Sequence, residues 1–230
     1  MISAAVVDPL ILILLLVTPV WDVYETRRLR RENNETARLR AYAYAIIWLW
    51  GAAVLLLLST PFAILNTPAR PPYPPQSADF LGPMSIGAAI AVFMPVVLVL
   101  TNARARERTY RQLQKLDFIL PTSRRERAVW PIVAISAGIC EEIIFRGFLI
   151  RYLDRLFGHP HIGIAIAAAS LLFGVQHTYQ GVAGMIVTAI LAALVALIFY
   201  ATYSLVFPMV FHALIDLRIL VLYRRPSTMT

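Results

Sequence analysis

From residue 182 to residue 204 the chain runs without a single acidic or basic side chain. A helix rises about 1.5 Å per residue, so about 20 such residues cross a hydrocarbon core of about 30 Å. Lipid offers no water to satisfy backbone N–H and C=O groups, and a helix satisfies them within the segment itself. Six further apolar runs share the pattern, at residues 4–21, 41–65, 81–101, 129–150, 162–178 and 206–223. The expected fold class is therefore all-α, a multi-pass transmembrane helix bundle of about seven spans. The count ranges from six to eight because Asp8 and Pro9 interrupt the first run, the fifth is short, and only a turn at Leu205 separates the last two.

Composition agrees with this reading. Hydrophobic residues make up 59% of the 230 positions and charged residues 15%, with a mean hydropathy of +0.69. So few charges cannot cover the surface of a water-soluble domain of this length. One membrane domain is expected, in two parts: residues 1–128 with three spans and basic loops, and residues 129–230 with four spans and the polar motifs described below. The opening segment has no basic stretch before its apolar core and no small-residue cleavage site, so it reads as a retained first span rather than a signal peptide.

A net charge of +8 would suit nucleic acid, but the basic residues flank the apolar runs, which excludes that reading. Loop 22–40 holds Arg27, Arg28, Arg30, Arg31, Arg38 and Arg40, loop 102–128 holds eight basic residues, and Arg224 and Arg225 follow the last span. The opposite loops hold only Arg70, Arg151 and Arg155. Sixteen against three predicts an N-terminus outside and a C-terminus in the cytoplasm of a cell (inner) membrane. Lys115 is the one lysine among 21 basic residues, a bias that points to a GC-rich bacterial genome. Trp21, Tyr24, Trp130, Tyr203 and Tyr223 fall at span ends, where an interfacial aromatic belt is expected.

The remaining segments are less patterned. Pro68, Pro71, Pro72, Pro74 and Pro75 make 66–80 a stiff external loop. No internal repeat is present, which argues against an inverted-repeat transporter. Loop 102–128 has two readings. Tyr110, Leu113, Leu116, Phe118 and Leu120 form the apolar face of a cytoplasmic interfacial helix on anionic lipid, or the segment is a solvated basic loop. Cys140, the single cysteine, lies in an apolar run and reads as a small hydrophobe.

Ionisable residues inside the bilayer are costly and mark function by default. Three runs carry them: Glu141, Glu142 and Arg146 in the fourth, Phe173 and His177 in the fifth, His212 and Asp216 in the seventh. Glu142 and Arg146 are four residues apart, share a helix face and pair in the favourable order. Glu141 points about 100° away and is left for proton transfer. Glu141 lies fourteen residues beyond Arg127, and His212 lies twelve before Arg224. These spacings put them about 21 Å and about 18 Å from their cytoplasmic anchors, at matching depth. His177 sits nearer the cytoplasmic end of its run, and a hydrated cavity open to that side would unite the three. Purely structural readings stand beside this one: Glu142 with Arg146 as a packing pair, His212 with Asp216 as a self-satisfied pair, and His177 as a helix-end residue. His159 and His161, in an external turn, read as surface residues.

The ordered trio Glu-Glu-x-x-x-Arg, Phe-x-x-x-His and His-x-x-x-Asp, each on its own span, resembles the CAAX prenyl endopeptidase and bacteriocin-processing family. The Ras-converting enzyme and the abortive-infection-type membrane proteins belong to it. The resemblance covers residues 129–216; the first three spans are similar only in being hydrophobic. It implies an intramembrane endopeptidase acting on a membrane-anchored peptide or protein. In such an enzyme Glu141 activates a water, His177 helps to position it, and His212 with residue 216 stabilises the oxyanion. Asp216 departs from the asparagine of the eukaryotic members, and an ionised aspartate cannot donate to an oxyanion, so it orients His212 or stays protonated. Glu141, His177 and His212 are also the candidate ligands of a zinc ion with an open water position. The helical His-Glu-x-x-His signature is absent, so no cofactor is assigned. Two other functions compete: a non-catalytic membrane scaffold or immunity protein of the same fold, and a small proton-coupled carrier.

Overall fold

The computed structural model describes residues 4–68, 78–158 and 161–224. Arg70, Pro71, Pro72, Pro74 and Pro75 of the predicted external loop, with His159 and Arg225, lie outside the described residues.

Helix α1 (Ala4–Glu32) ends where Asn33 turns left-handed at φ 36°. Asn34 then starts α2 (Glu35–Ser59), its side chain accepting from the Ala37 N–H at 2.9 Å. A short polar residue tolerates both jobs, so two residues suffice to reverse the chain. A single turn, α3 (Phe62–Leu65), follows Pro61. Helix α4 (Ala78–Thr101) breaks at Asn102, which caps α5 (Ala103–Leu113) through the N–H groups of Arg104 and Ala105. The two helices meet at a bend of 117°.

The central element begins at a capping box. Ser123 accepts from the Glu126 N–H while the Glu126 carboxylate accepts from that of Ser123, opening α6 (Arg124–Glu142). It continues through a π-helical segment, Ile143–Leu149, into α7 (Ile150–Leu156) as one rod of 33 residues. The rod is longer at both ends than the expected span 129–150. Helix α8 (Ile162–Val175) is capped by the imidazole of His161, which accepts from the Gly163 N–H. His161, expected as a surface residue, is exposed and also serves as a helix cap. A 3₁₀ turn, Thr178–Gln180, leads into α9 (Gly181–Thr202), and Tyr203 at φ 53° redirects the chain into α10 (Val206–Leu217) and α11 (Ile219–Leu222).

The described residues are helical with no strand among them. Among the described residues four helices are long and apolar enough to cross a membrane: Val6–Glu32, Glu35–Ser59, Arg124–Leu156 and Thr178–Thr202. The bent pair Ala89–Thr101 with Ala103–Leu116 makes a fifth if taken as one span. The runs expected as spans 162–178 and 206–223 hold apolar helices of 14 and 12 residues, α8 and α10. Their lengths of about 21 Å and about 18 Å fall short of a full crossing. The bundle is compatible with about seven membrane segments and does not by length alone require them.

The α6–α7 rod is the core. It packs against α2 and α10 along α6, while α7 meets α8. Around it, Cys140, Ile143, Phe145, Phe148, Leu149 and Ile150 are buried. Outward faces are apolar instead: Val20, Ile47, Leu171 and Val182 are all exposed. That inversion is what a bilayer solvent favours.

Polar contacts gather at the two ends of the bundle. At one end, Arg151 donates to the carbonyls of Ile64 and Thr67, and Arg155 pairs with Asp8 at 3.8 Å. At the other, Arg38 binds the buried Glu126 at 2.7 Å, the Tyr42 hydroxyl donates to the Ile119 carbonyl, and Arg127 donates to the carbonyls of Leu220 and Tyr223. Loop 102–128 lies at this second end. Its first half is the helix α5, and its apolar residues turn inward: Phe118 and Leu120 are buried and Tyr110 stacks on Tyr223 at 5.3 Å.

Candidate active site

The last turn of α6 delivers Glu141 and Glu142 just as the helix widens into its π-helical segment. Such segments insert one residue per turn and recur at functional sites. Arg146, inside the segment, still reaches back four residues: its Nη1 donates to Glu142 Oε1 at 3.0 Å, and its Nη2 donates to the Ala192 carbonyl of α9 at 3.0 Å. Both side chains are almost fully enclosed. The expected pairing of Glu142 with Arg146 is present, and the same arginine ties the rod to α9.

Helix α10 brings His212 to the same carboxylate. The His212 Nδ1 lies 2.8 Å from Glu142 Oε1. A carboxylate accepts, so Nδ1 carries the proton and Nε2 faces the other way. There it lies 3.9 Å from Glu141 Oε2 and 3.6 Å from Asp216 Oδ2. At 3.6 Å the His212–Asp216 contact is an ion-pair distance and not a hydrogen bond, so the two do not form a closed pair. Three carboxylates surround one imidazole.

Gly138 makes this approach feasible. A Cβ there would lie 2.8 Å from the Ala213 nitrogen and 2.9 Å from the Met209 carbonyl, both backbone atoms of α10. Only a residue without a side chain lets α10 cross α6 this closely, one turn before the glutamates. Trp130 fixes the far end of the crossing by donating to the Asp216 carbonyl at 3.0 Å.

His177 follows the end of α8 and opens the 3₁₀ turn. Its Nδ1 is 2.8 Å from the Phe173 carbonyl, which can only accept. The proton therefore sits on Nδ1, and Nε2 keeps its lone pair. Gln176 pins this corner to α1 by donating to the Leu15 carbonyl at 2.6 Å.

Phe173 joins the pieces. Its ring lies 4.8 Å from that of His177, 5.9 Å from that of His212 and 4.8 Å from that of Phe145, with the Arg146 guanidinium 4.7 Å from its face. All six candidates thus fall in one neighbourhood: Glu141, Glu142, Arg146, His212 and Asp216 by charge, and His177 through Phe173. Two contacts escaped sequence reasoning: the His212–Glu142 hydrogen bond and the role of Gly138. Only the small residue within an apolar helix hinted at either.

Chemically, the cluster holds two carboxylate oxygens in reserve. Glu141 Oε2 and Glu142 Oε2 are buried and accept no hydrogen bond among the described residues. Glu142 already shares its first oxygen between Arg146 and His212, whereas Glu141 lacks a guanidinium partner. As for zinc, no group of three His, Cys, Asp or Glu among the described residues stands where it could hold a metal ion. Glu141, His177 and His212 therefore do not fit the ligand set expected of them.

No curated protein and no solved structure matches the chain. A family model does match residues 124–218, from the first residue of α6 to the residue after α10, and so includes all six candidates. Its description is type II CAAX prenyl endopeptidase Rce1-like, and over this segment the chain is similar to that family.

Proposed function

We propose that this chain is an intramembrane endopeptidase that hydrolyses a peptide bond of a membrane-anchored peptide or protein, with Glu141 as general base. One observation carries the reading: Glu141 keeps a buried carboxylate oxygen that accepts no hydrogen bond among the described residues and lies at ion-pair distance, 3.9 Å, from His212 Nε2, while its neighbour Glu142 takes up Arg146 and the other imidazole nitrogen. The Rce1-like domain supports the reaction class.

In this mechanism a water binds between the Glu141 carboxylate and the lone pair of His177 Nε2. Glu141 takes one of its protons as the oxygen attacks the scissile carbonyl carbon. The tetrahedral oxyanion accepts a hydrogen bond from Nε2–H of His212 in its imidazolium form. Collapse breaks the C–N bond, and the proton held by Glu141 passes to the departing amine. Glu142 holds His212 by Nδ1–H, and the Asp216 carboxylate faces Nε2 at ion-pair distance, 3.6 Å, favouring the imidazolium. By the arginine distribution, the bundle end with Arg38, Glu126 and Arg127 faces the cytoplasm and anionic lipid.

The test uses purified full-length protein in detergent with two internally quenched substrates: a farnesylated peptide and a peptide carrying a membrane-spanning segment. Cleavage of either by wild type, with a loss of at least a hundredfold in Glu141→Gln, is expected. Equal rates in wild type and Glu141→Gln would leave a non-catalytic scaffold of the same fold as the better account.

A further inference from the structure

Beside His177 stands a side chain that the three motifs leave out. Tyr179 lies two residues further along the 3₁₀ turn, with its ring 5.7 Å from the imidazole of His177 and tilted 36° to it. Asp216, Glu141 and, on α1, Asp22 are near enough for their charges to act on Tyr179. Its hydroxyl is not left to rotate. The Gln180 amide donates to it at 3.1 Å, and the Gln180 carbonyl oxygen accepts from the Thr188 hydroxyl at 3.2 Å. Gly184 makes room for this relay, since a Cβ there would lie 2.3 Å from the Gln180 Cβ and 3.0 Å from its Oε1. A phenol that accepts from an amide still has its own proton to give.

We infer that Tyr179 is a positioning residue of the site. Its ring backs His177, and its hydroxyl, oriented by Gln180 and Thr188, donates a hydrogen bond toward the Glu141–Asp216 side of the pocket. This inference rests on the endopeptidase reading. The relay gives it a direction that can be reversed. Gln180→Glu replaces the amide donor by a carboxylate, which accepts the phenol proton and turns it away from the site, with almost no change in shape.

The experiment compares wild type, Tyr179→Phe, Gln180→Glu and Glu141→Gln in full-length protein, on the farnesylated quenched peptide and the membrane-spanning peptide, alongside thermal unfolding. The expected result is a kcat lower by about tenfold to a hundredfold in both Tyr179→Phe and Gln180→Glu, with KM and Tm close to wild type. Wild-type kcat in Tyr179→Phe, with Glu141→Gln inactive, overturns the inference and leaves the endopeptidase reading standing. A fall in rate that tracks a fall in Tm or a rise in KM also overturns it, because Tyr179 is then a packing residue. Full activity in Glu141→Gln, or cleavage of neither peptide by wild type, removes the endopeptidase reading and the inference with it.

Discussion

The Nδ1 of His212 lies 2.8 Å from Glu142 Oε1, the same oxygen that accepts from Arg146 at 3.0 Å. One carboxylate atom thus couples α10 to the core rod and, through Arg146 and the Ala192 carbonyl, to α9. Arg146→Met leaves Glu142 enclosed without its counter-charge. Breaking a buried pair from one side costs about 3–5 kcal/mol. The variant is expected to unfold at markedly lower temperature in detergent and to lose activity with it. Arg146→Lys keeps a charge but not the fork that reaches both partners, and should fall between. Thermal unfolding followed by intrinsic tryptophan fluorescence decides both.

Glu141 and Glu142 are adjacent in the chain and opposite in consequence. Glu142→Gln weakens its bonds to Arg146 and His212 and strands a buried guanidinium, so Tm should drop clearly. Among the described residues no guanidinium stands at ion-pair distance from Glu141, and one of its oxygens accepts no hydrogen bond, so Glu141→Gln should leave Tm within a few degrees of wild type while abolishing cleavage. A comparable loss of Tm in the two variants would contradict this division of labour.

How far the sequence reaches depends on the range of the interaction. The pairing of Glu142 with Arg146 is local, set by helical spacing, and was readable from four residues. Meeting of the three motifs was readable in outline, because charged groups in lipid seek one another. The His212–Glu142 bond was not, since it depends on how closely α10 crosses α6, a tertiary quantity set by Gly138. Nor does any composition signal mark the π-helical segment Ile143–Leu149, whose residues suit an ordinary helix as well. Arg38 and Glu126 show the opposite error. Both look like loop charges, yet Arg38 is 7% exposed and Glu126 0%, paired at 2.7 Å. Ser123 three residues before Glu126 spells a capping box, a legible signal that a charge count passes over.

Gly138 offers a test of the crossing itself. Its missing side chain leaves backbone atoms of α10 within 3 Å of where a Cβ would stand. Backbone cannot swing aside as a side chain can, so Gly138→Ala must push α10 outward or rotate it. Either movement lengthens the His212–Glu142 bond, four residues along α6 from Gly138. Expected are a loss of stability of about 1–3 kcal/mol, typical of overpacking, and a fall in kcat larger than that stability loss implies in the folded fraction. Gly51, with nothing within 4 Å of its Cβ position, is the control: Gly51→Ala should leave both unchanged or gain slightly in stability.

The Arg38–Glu126 pair separates stability from chemistry at the other end of the bundle. Glu126 accepts from Arg38 Nε at 2.7 Å, from the Thr122 N–H and hydroxyl at 2.6 and 2.9 Å, and from the Ser123 N–H at 2.8 Å, so its buried carboxylate is fully engaged. It closes the start of the rod whose middle carries Glu141, fifteen residues on. Removing the guanidinium in Arg38→Met leaves that carboxylate without its cation but with its backbone donors. The cost is expected at about 3 kcal/mol, the low side for a broken buried pair, because those donors remain. No site residue touches Arg38, so KM and kcat per folded molecule should match wild type at a temperature well below unfolding. Titrating active protein by the fraction that survives a heat step gives the stability loss, and initial rates at low temperature give the chemistry. A fall in kcat without a fall in Tm would mean that this network acts on the site and not only on the fold.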